Sequence, residues 1–157
     1  MVVDWAYRDG DEGVLVAHGG QAGGYLLYVE DGELRFEENE YGRPRRLPPV
    51  RLGESSSRVV LDVSAPGGGT WEVEISVDGE VRASGAGFAQ FISFLPFEGI
   101  DVGIDRRSPV SWDLRQRRGT FPFSGRLDAV TYVPGAQGPD APQRRIEQAR
   151  AVGLDLQ

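Results

Sequence analysis

The stretch TWEVEISVDGEVRASG, residues 70–85, alternates apolar Trp71, Val73, Ile75 and Val77 with polar Glu72, Glu74 and Ser76 up to Asp78-Gly79. A period of two predicts a strand with one face in a core and the other in water. It turns back through a tight hairpin, because Asp-Gly tolerates positive φ at both central positions. YLLYVEDGELRFEE (25–38) repeats this logic around Asp31-Gly32. GVLVAHGG (13–20) is a short, partly β-branched run closed by glycines and predicts a buried strand; RVVLDVSA (58–65) predicts another. In GFAQFISFLPFEG (87–99), Phe88, Phe91, Phe94 and Phe97 mimic a helical spacing, but the flanking glycines, Pro96 and the aromatic density favour an irregular strand. IDVGID (100–105) and FSGRLDAVTYV (123–133) are the remaining strand candidates, the second with Leu127, Ala129 and Thr131 opposed to Asp128, Val130 and Tyr132.

RPRRLPPVRLGESSS (43–57) carries three prolines and predicts a loop or an irregular edge crossing. After the linker YVPGAQGPDAP, the stretch PQRRIEQARAVGL (142–154) has helical composition, with Ile146, Ala149 and Leu154 as a thin apolar stripe. About eight to eleven short strands with frequent turn signals predict an all-β fold, an antiparallel two-sheet jelly-roll sandwich followed by a short C-terminal helix. The sandwich is expected over residues 1–135 and the linker and helical tail over 136–157.

Composition sharpens this picture mainly by exclusion. At 157 residues and 39% hydrophobic content the chain suits one domain with a real core, and 22 glycines and 10 prolines lean towards turns. A net charge of -7 opposes binding to nucleic-acid phosphate or to an anionic membrane, so neither is an expected partner. All 17 basic residues are arginine, which carries no functional reading. With no cysteine and a single histidine, His18, disulfides, thiolate metal sites, cysteine nucleophiles and imidazole-rich clusters are excluded. The opening MVVDWAYRDG lacks the basic and apolar regions of a signal peptide, and no apolar run approaches the roughly 20 residues of a membrane helix, so a cytoplasmic location is expected.

Three groups of residues invite chemistry. Glu72 and Glu74 share one strand face, and paired carboxylates on a sheet do acid–base work in laminarinase-type glycoside hydrolases. Those enzymes carry Glu-x-Asp-x-(x)-Glu, whereas EVEISVD lacks the middle aspartate and the closing glutamate and reads as a solvated strand face. Asp101, Asp105 and Asp113 supply hard oxygen ligands of the kind calcium takes. On a strand, however, residues four apart are about 13 Å from each other unless the chain bends at Gly103. Arginine pairing by Arg106 and Arg107 is the alternative use of these carboxylates. His18 beside Gly19-Gly20 reads as a structural residue, and GGQAGG (19–24) as a tight connection between strands rather than a phosphate loop, since it lacks the Gly-Lys-Ser/Thr ending.

Taken in order, EGVLVAHGGQAGGYLLYVEDGELRFEENEYG, WEVEISVDGEVRASG, GIDVGIDRRSPVSWD and FPFSGRLDAVTYVPG resemble the C-terminal domain of long bacterial arylsulfatases. The matching positions are Gly19 and Gly20, Asp31 and Gly32, Asp101 to Asp105 with Ser108, Pro109 and Val110, and Phe123 to Leu127. The resemblance spans residues 12 to about 135. It implies a concanavalin A-like or laminin-G-like sandwich that accompanies a sulfatase catalytic domain without itself cleaving sulfate esters. The sulfatase nucleophile arises from a Cys/Ser-x-Pro-x-Arg motif, and neither SAPGG at Ser64 nor SPVSW at Ser108 completes it, so the chain is expected not to be an enzyme. The loop DVGIDRRSPVSWD then reads as a docking surface, with Asp105, Arg106, Arg107, Ser108 and Trp112 contacting a catalytic domain or a second protein chain. A carbohydrate-binding module is the alternative, its glycan lying against exposed aromatics and the face bearing Glu72 and Glu74.

Overall fold

A computed structural model describes residues 1–91 and 98–155. The chain is an antiparallel two-sheet β sandwich with two helices. In chain order the strands are β1 (Val2–Ala6), β2 (Gly13–Gly20), β3 (Gly23–Glu30), β4 (Glu33–Glu40), β5 (Arg43–Arg46), β6 (Val50–Arg51), β7 (Arg58–Gly67), β8 (Thr70–Val77), β9 (Glu80–Ala89), β10 (Ile100–Val102) and β11 (Arg126–Thr131). The helices are α1 (Trp112–Arg118) and α2 (Ala141–Asp155). One sheet has the order β11-β1-β7-β8-β9 and the other β10-β2-β3-β4-β5, with β6 paired to β4.

The Asp-Gly hairpins form as their composition demands. Asp31 and Gly32 adopt φ of 55° and 71°, and Asp78 and Gly79 adopt 51° and 88°, the mirror-image turn that matches strand twist. A third hairpin, β4 to β5, uses Tyr41 and Gly42 at φ of 49° and 83°. GGQAGG closes β2 onto β3 with Gly20 opposite Gly23, and a Cβ on Gly24 would lie 2.1 Å from the His18 carbonyl oxygen, so only glycine fits that approach.

The main core lies between the sheets and includes Val3, Trp5, Leu27, Phe36, Leu61 and Ile75. A bulge between Val14 and Val16 turns both Leu15 and Val16 into it. The second sheet has a buried outer face as well, where Val14, Ala17, Leu26 and Tyr28 pack against Val110 and Leu114 of the α1 region. Burial on both faces explains the unbroken apolar run of GVLVA and YLLYV, in contrast to the strict alternation of β8.

Four expectations change. Residues 43–57 are not simply a loop: β5 and β6 are short edge strands, with Pro44 on an edge that has no further strand beside it among the described residues to receive its missing N–H. The alternation expected for β11 is broken. Asp4 pairs with Ala129 but Trp5 with Leu127, so Asp128 is an extra residue, and Leu127 and Val130 both reach the core. The strand expected over 100–105 ends at Val102, and Trp112 lies on a helix rather than in a loop. The positions of Phe94 and Phe97, and the side chain of Leu154, fall outside the described residues. No helix among the described residues is long and apolar enough to cross a membrane.

Candidate interaction surface

The segment from Glu98 to Gly119 binds α1 against the second sheet. Gly103, at φ 75°, turns the chain out of β10 while its N–H donates to the Leu15 carbonyl at 2.9 Å. Three carboxylates then cap the loop that follows. Asp101 Oδ2 accepts from the Arg106 N–H at 3.1 Å, Asp105 Oδ2 from the Val110 N–H at 2.9 Å, and Glu98 Oε2 from the Ser108 N–H at 3.1 Å. Ser108 Oγ accepts from the Gln21 N–H at 2.9 Å, tying the loop to the β2–β3 turn. The expected pairing of Asp101 and Asp105 with Arg106 and Arg107 is therefore replaced by backbone donors. A carboxylate that accepts N–H bonds needs no guanidinium to be satisfied.

Helix α1 starts where its residues dictate. Ser111 is an extended N-cap whose Oγ accepts from the Leu114 N–H at 3.3 Å, Asp113 occupies the first turn, Arg117 and Arg118 the last, and Gly119 ends it. Val110 and Leu114 are its buried anchors. Arg117 Nη1 donates to Glu30 Oε1 at 2.6 Å, and the Glu30 side chain is only 5% exposed. Arg118 pairs with Glu12, lies 3.7 Å from Glu30, and stacks over Phe121 with its guanidinium carbon 4.4 Å from the ring centroid.

What this arrangement leaves outside is small and specific. Arg106 and Arg107 are exposed, and Trp112, in the first turn of α1, is 53% exposed on a pinned helix. Of the five residues expected to dock, these three face outwards. Asp105 instead caps the loop through the Val110 N–H, and the Ser108 hydroxyl accepts from the Gln21 N–H of the β2–β3 turn. Burial, reinforced by the charges of Asp101 and Glu98, raises the Asp105 pKa above the ordinary carboxylate range.

The other expected residues separate into distinct places. Asp113 is in α1, ion-paired to Arg117 at 3.3 Å, while Asp101 and Asp105 cap the loop; among the described residues, no three Asp, Glu or His side chains form a group able to hold a metal ion. Glu72 and Glu74 are exposed on the outer face of the first sheet, opposite Ser64 and Asp62. With Ser84, Gly85 and Ala86 they line a shallow depression of about 410 Å³ that holds no aromatic side chain. Trp71, adjacent to them in sequence, points to the other face and packs on the core. His18 is half-buried, edge-on to Tyr25 with centroids 5.4 Å apart, and burial lowers its pKa.

Glu38 was not anticipated. It is fully buried, Oε2 accepts from the Ala89 N–H of β9 at 2.9 Å and so ties the two sheets together, and Oε1 has no partner among the described residues. Burial pushes its pKa up to about 7. The alternation of ELRFEENE already carried the signal, since Leu34 and Phe36 face the core and Glu38 follows at the same period.

The fold and these surfaces define an all-β sandwich module with a helical shelf on one sheet. No family model and no curated protein sequence matches the chain.

Proposed function

We propose that this chain is a non-catalytic interaction module, a concanavalin A-like or laminin-G-like sandwich that docks through the α1 shelf onto a sulfatase catalytic domain. The motifs that resemble the arylsulfatase C-terminal domain and the missing Cys/Ser-x-Pro-x-Arg nucleophile motif support the reading. The observation that carries it is the exposure of Trp112 on a helix held rigid from beneath. A large exposed aromatic on a packed helix, in a segment that also exposes Arg106 and Arg107, is the chemistry of an interface hot spot. The pairing of Arg117 with the buried Glu30 carboxylate and the backbone caps of the loop preorganise that face and leave Arg106, Arg107 and Trp112 exposed.

Calorimetric titration of the chain with a bacterial arylsulfatase catalytic domain, prepared without its own C-terminal domain, tests this. Binding is expected, and Trp112→Ala should weaken it about tenfold or more. Affinity unchanged by Trp112→Ala, or no binding at all, refutes the assignment.

A further inference from the structure

The linker and the first turn of α2 cross the ends of β7 and β8 at one mouth of the sandwich. Asp140 Oδ2 accepts from the Gly68 N–H at 2.8 Å, Arg144 Nη1 donates to Gln90 Oε1 at 3.4 Å, and Ala141 is buried. Between this strap and the sheet lies an open cleft of about 350 Å³, within the roughly 300–1,000 Å³ range of small-ligand sites. Trp71 and Phe91 form its aromatic wall, edge-on with centroids 5.9 Å apart and both half-buried. Gln90 and Gln137 add amide groups, and Arg145 brings an exposed guanidinium that is in no ion pair among the described residues. Ala141, at the start of α2, lines the same cleft; the Asp140 carboxylate before it offsets the positive end of the helix dipole, so Arg145 supplies the positive charge there.

Each feature asks something different of a ligand. The π-face of an exposed aromatic ring accepts the C–H face of a sugar ring. Amides that donate and accept suit hydroxyl groups, and would be left unpaired by a plain aromatic acid. A guanidinium fork matches a carboxylate bidentately. One unpaired cation in a chain of net charge -7 favours a singly charged ligand over a polyanion, which the rest of the surface repels. We propose that this cleft binds a carboxylate-bearing sugar, a uronate ring seated on Trp71 and Phe91 with its carboxylate on Arg145. This places a glycan away from Glu72 and Glu74, on the opposite face of β8, and it is independent of docking through α1.

Calorimetric titration of the full chain with D-glucuronate, D-glucose and benzoate tests the site, together with the indole N–H signals in nuclear magnetic resonance, Trp71 being assigned from Trp71→Phe. Saturable glucuronate binding that moves the Trp71 signal is expected, weakened about tenfold or more by the loss of the sugar carboxylate in glucose, by the loss of the ring hydroxyls in benzoate, and by Arg145→Gln. Arg145 is exposed, and an unchanged circular dichroism spectrum of Arg145→Gln separates lost binding from lost folding. Absence of saturable glucuronate binding, a Trp71 signal that stays still, benzoate binding as tightly as glucuronate, or Arg145→Gln binding like the wild type would each overturn the proposal.

Discussion

Replacing Glu38 by glutamine should remove one specific component of the protein's pH-dependent stability. Glu38 is fully buried between the sheets. Its nearest cationic neighbour, Arg45, is itself tied to the Gly87 and Ala86 carbonyls and compensates the burial only in part. The carboxyl is therefore pushed from an ordinary 4.5 up to about 7. A raised pKa means that the native state holds a proton which the unfolded chain releases. Below the ordinary value both states are protonated and the buried carboxyl bears no charge penalty. As pH rises from there through the native value the unfolded state ionises first, and stability is lost until the native carboxyl ionises too. At about 1.4 kcal/mol for each pH unit between the two pKa values, the full loss is about 3 kcal/mol. Glutamine keeps the carbonyl that accepts the Ala89 N–H and cannot ionise. Urea unfolding followed by tryptophan fluorescence, with wild type and Glu38→Gln compared at each pH, cancels the other carboxylates from the difference. The two proteins should differ little near pH 4.5, and Glu38→Gln should gain on the wild type by about 3 kcal/mol by about pH 8. A difference that is flat with pH, or one that favours the wild type as pH rises, would show that Glu38 is a satisfied ion and would refute the reasoning.

Two further tests concern the frame around the proposed surfaces. Removing Arg117 leaves the buried Glu30 carboxylate with Arg118, 3.7 Å away, as its one remaining ion-pair partner among the described residues. Arg117→Ala should cost about 1–2 kcal/mol in urea unfolding, and the double variant Glu30→Gln/Arg117→Ala should recover most of it, because an uncompensated buried charge is worse than none. Gly24→Ala would bring a methyl group against the His18 carbonyl, where backbone rather than a flexible side chain must move; a loss of about 2–3 kcal/mol in the same assay is expected, and a neutral effect would mean the β2–β3 turn has another conformation open to it.

The parts of the fold legible in the sequence are those set by local chemistry. Asp31-Gly32 and Asp78-Gly79 fix their hairpins because few other pairs accept positive φ twice, and the alternation of β8 assigns Glu72 and Glu74 to solvent without knowledge of any partner strand. β1 was not legible: five residues at the start of the chain form a strand only because β7 and β11, distant in sequence, pair with it on both sides. Helix α1 carries a proper start and stop in Ser111, Asp113 and Gly119, yet only Leu114 of its seven residues is buried, so it shows no period, and packing on the sheet rather than propensity holds it. The bulge at Asp128 is likewise invisible in a sequence whose alternation looks regular, since it is set by the register against Asp4 and Trp5.

The same contrast explains why only three of the five residues expected to dock, Arg106, Arg107 and Trp112, are exposed. Sequence shows that acids, arginines and a tryptophan are close along the chain, but not which of them the fold consumes. Here the acids are consumed: Glu98, Asp101 and Asp105 satisfy backbone N–H groups, and Glu30 and Glu12 take up Arg117 and Arg118. Residues 106–118 contain five arginines and one aspartate. With Arg117 and Arg118 committed inwards and Arg115 donating to Thr120 Oγ1 at 2.7 Å, Arg106 and Arg107 are left as exposed cations on the segment that carries Trp112, in a chain of net charge -7. A patch of that sign repels another copy of itself and attracts acidic surfaces, the outer face of the first sheet with Asp62, Glu72 and Glu74 being one such surface. Self-association through two α1 shelves is thus disfavoured by charge.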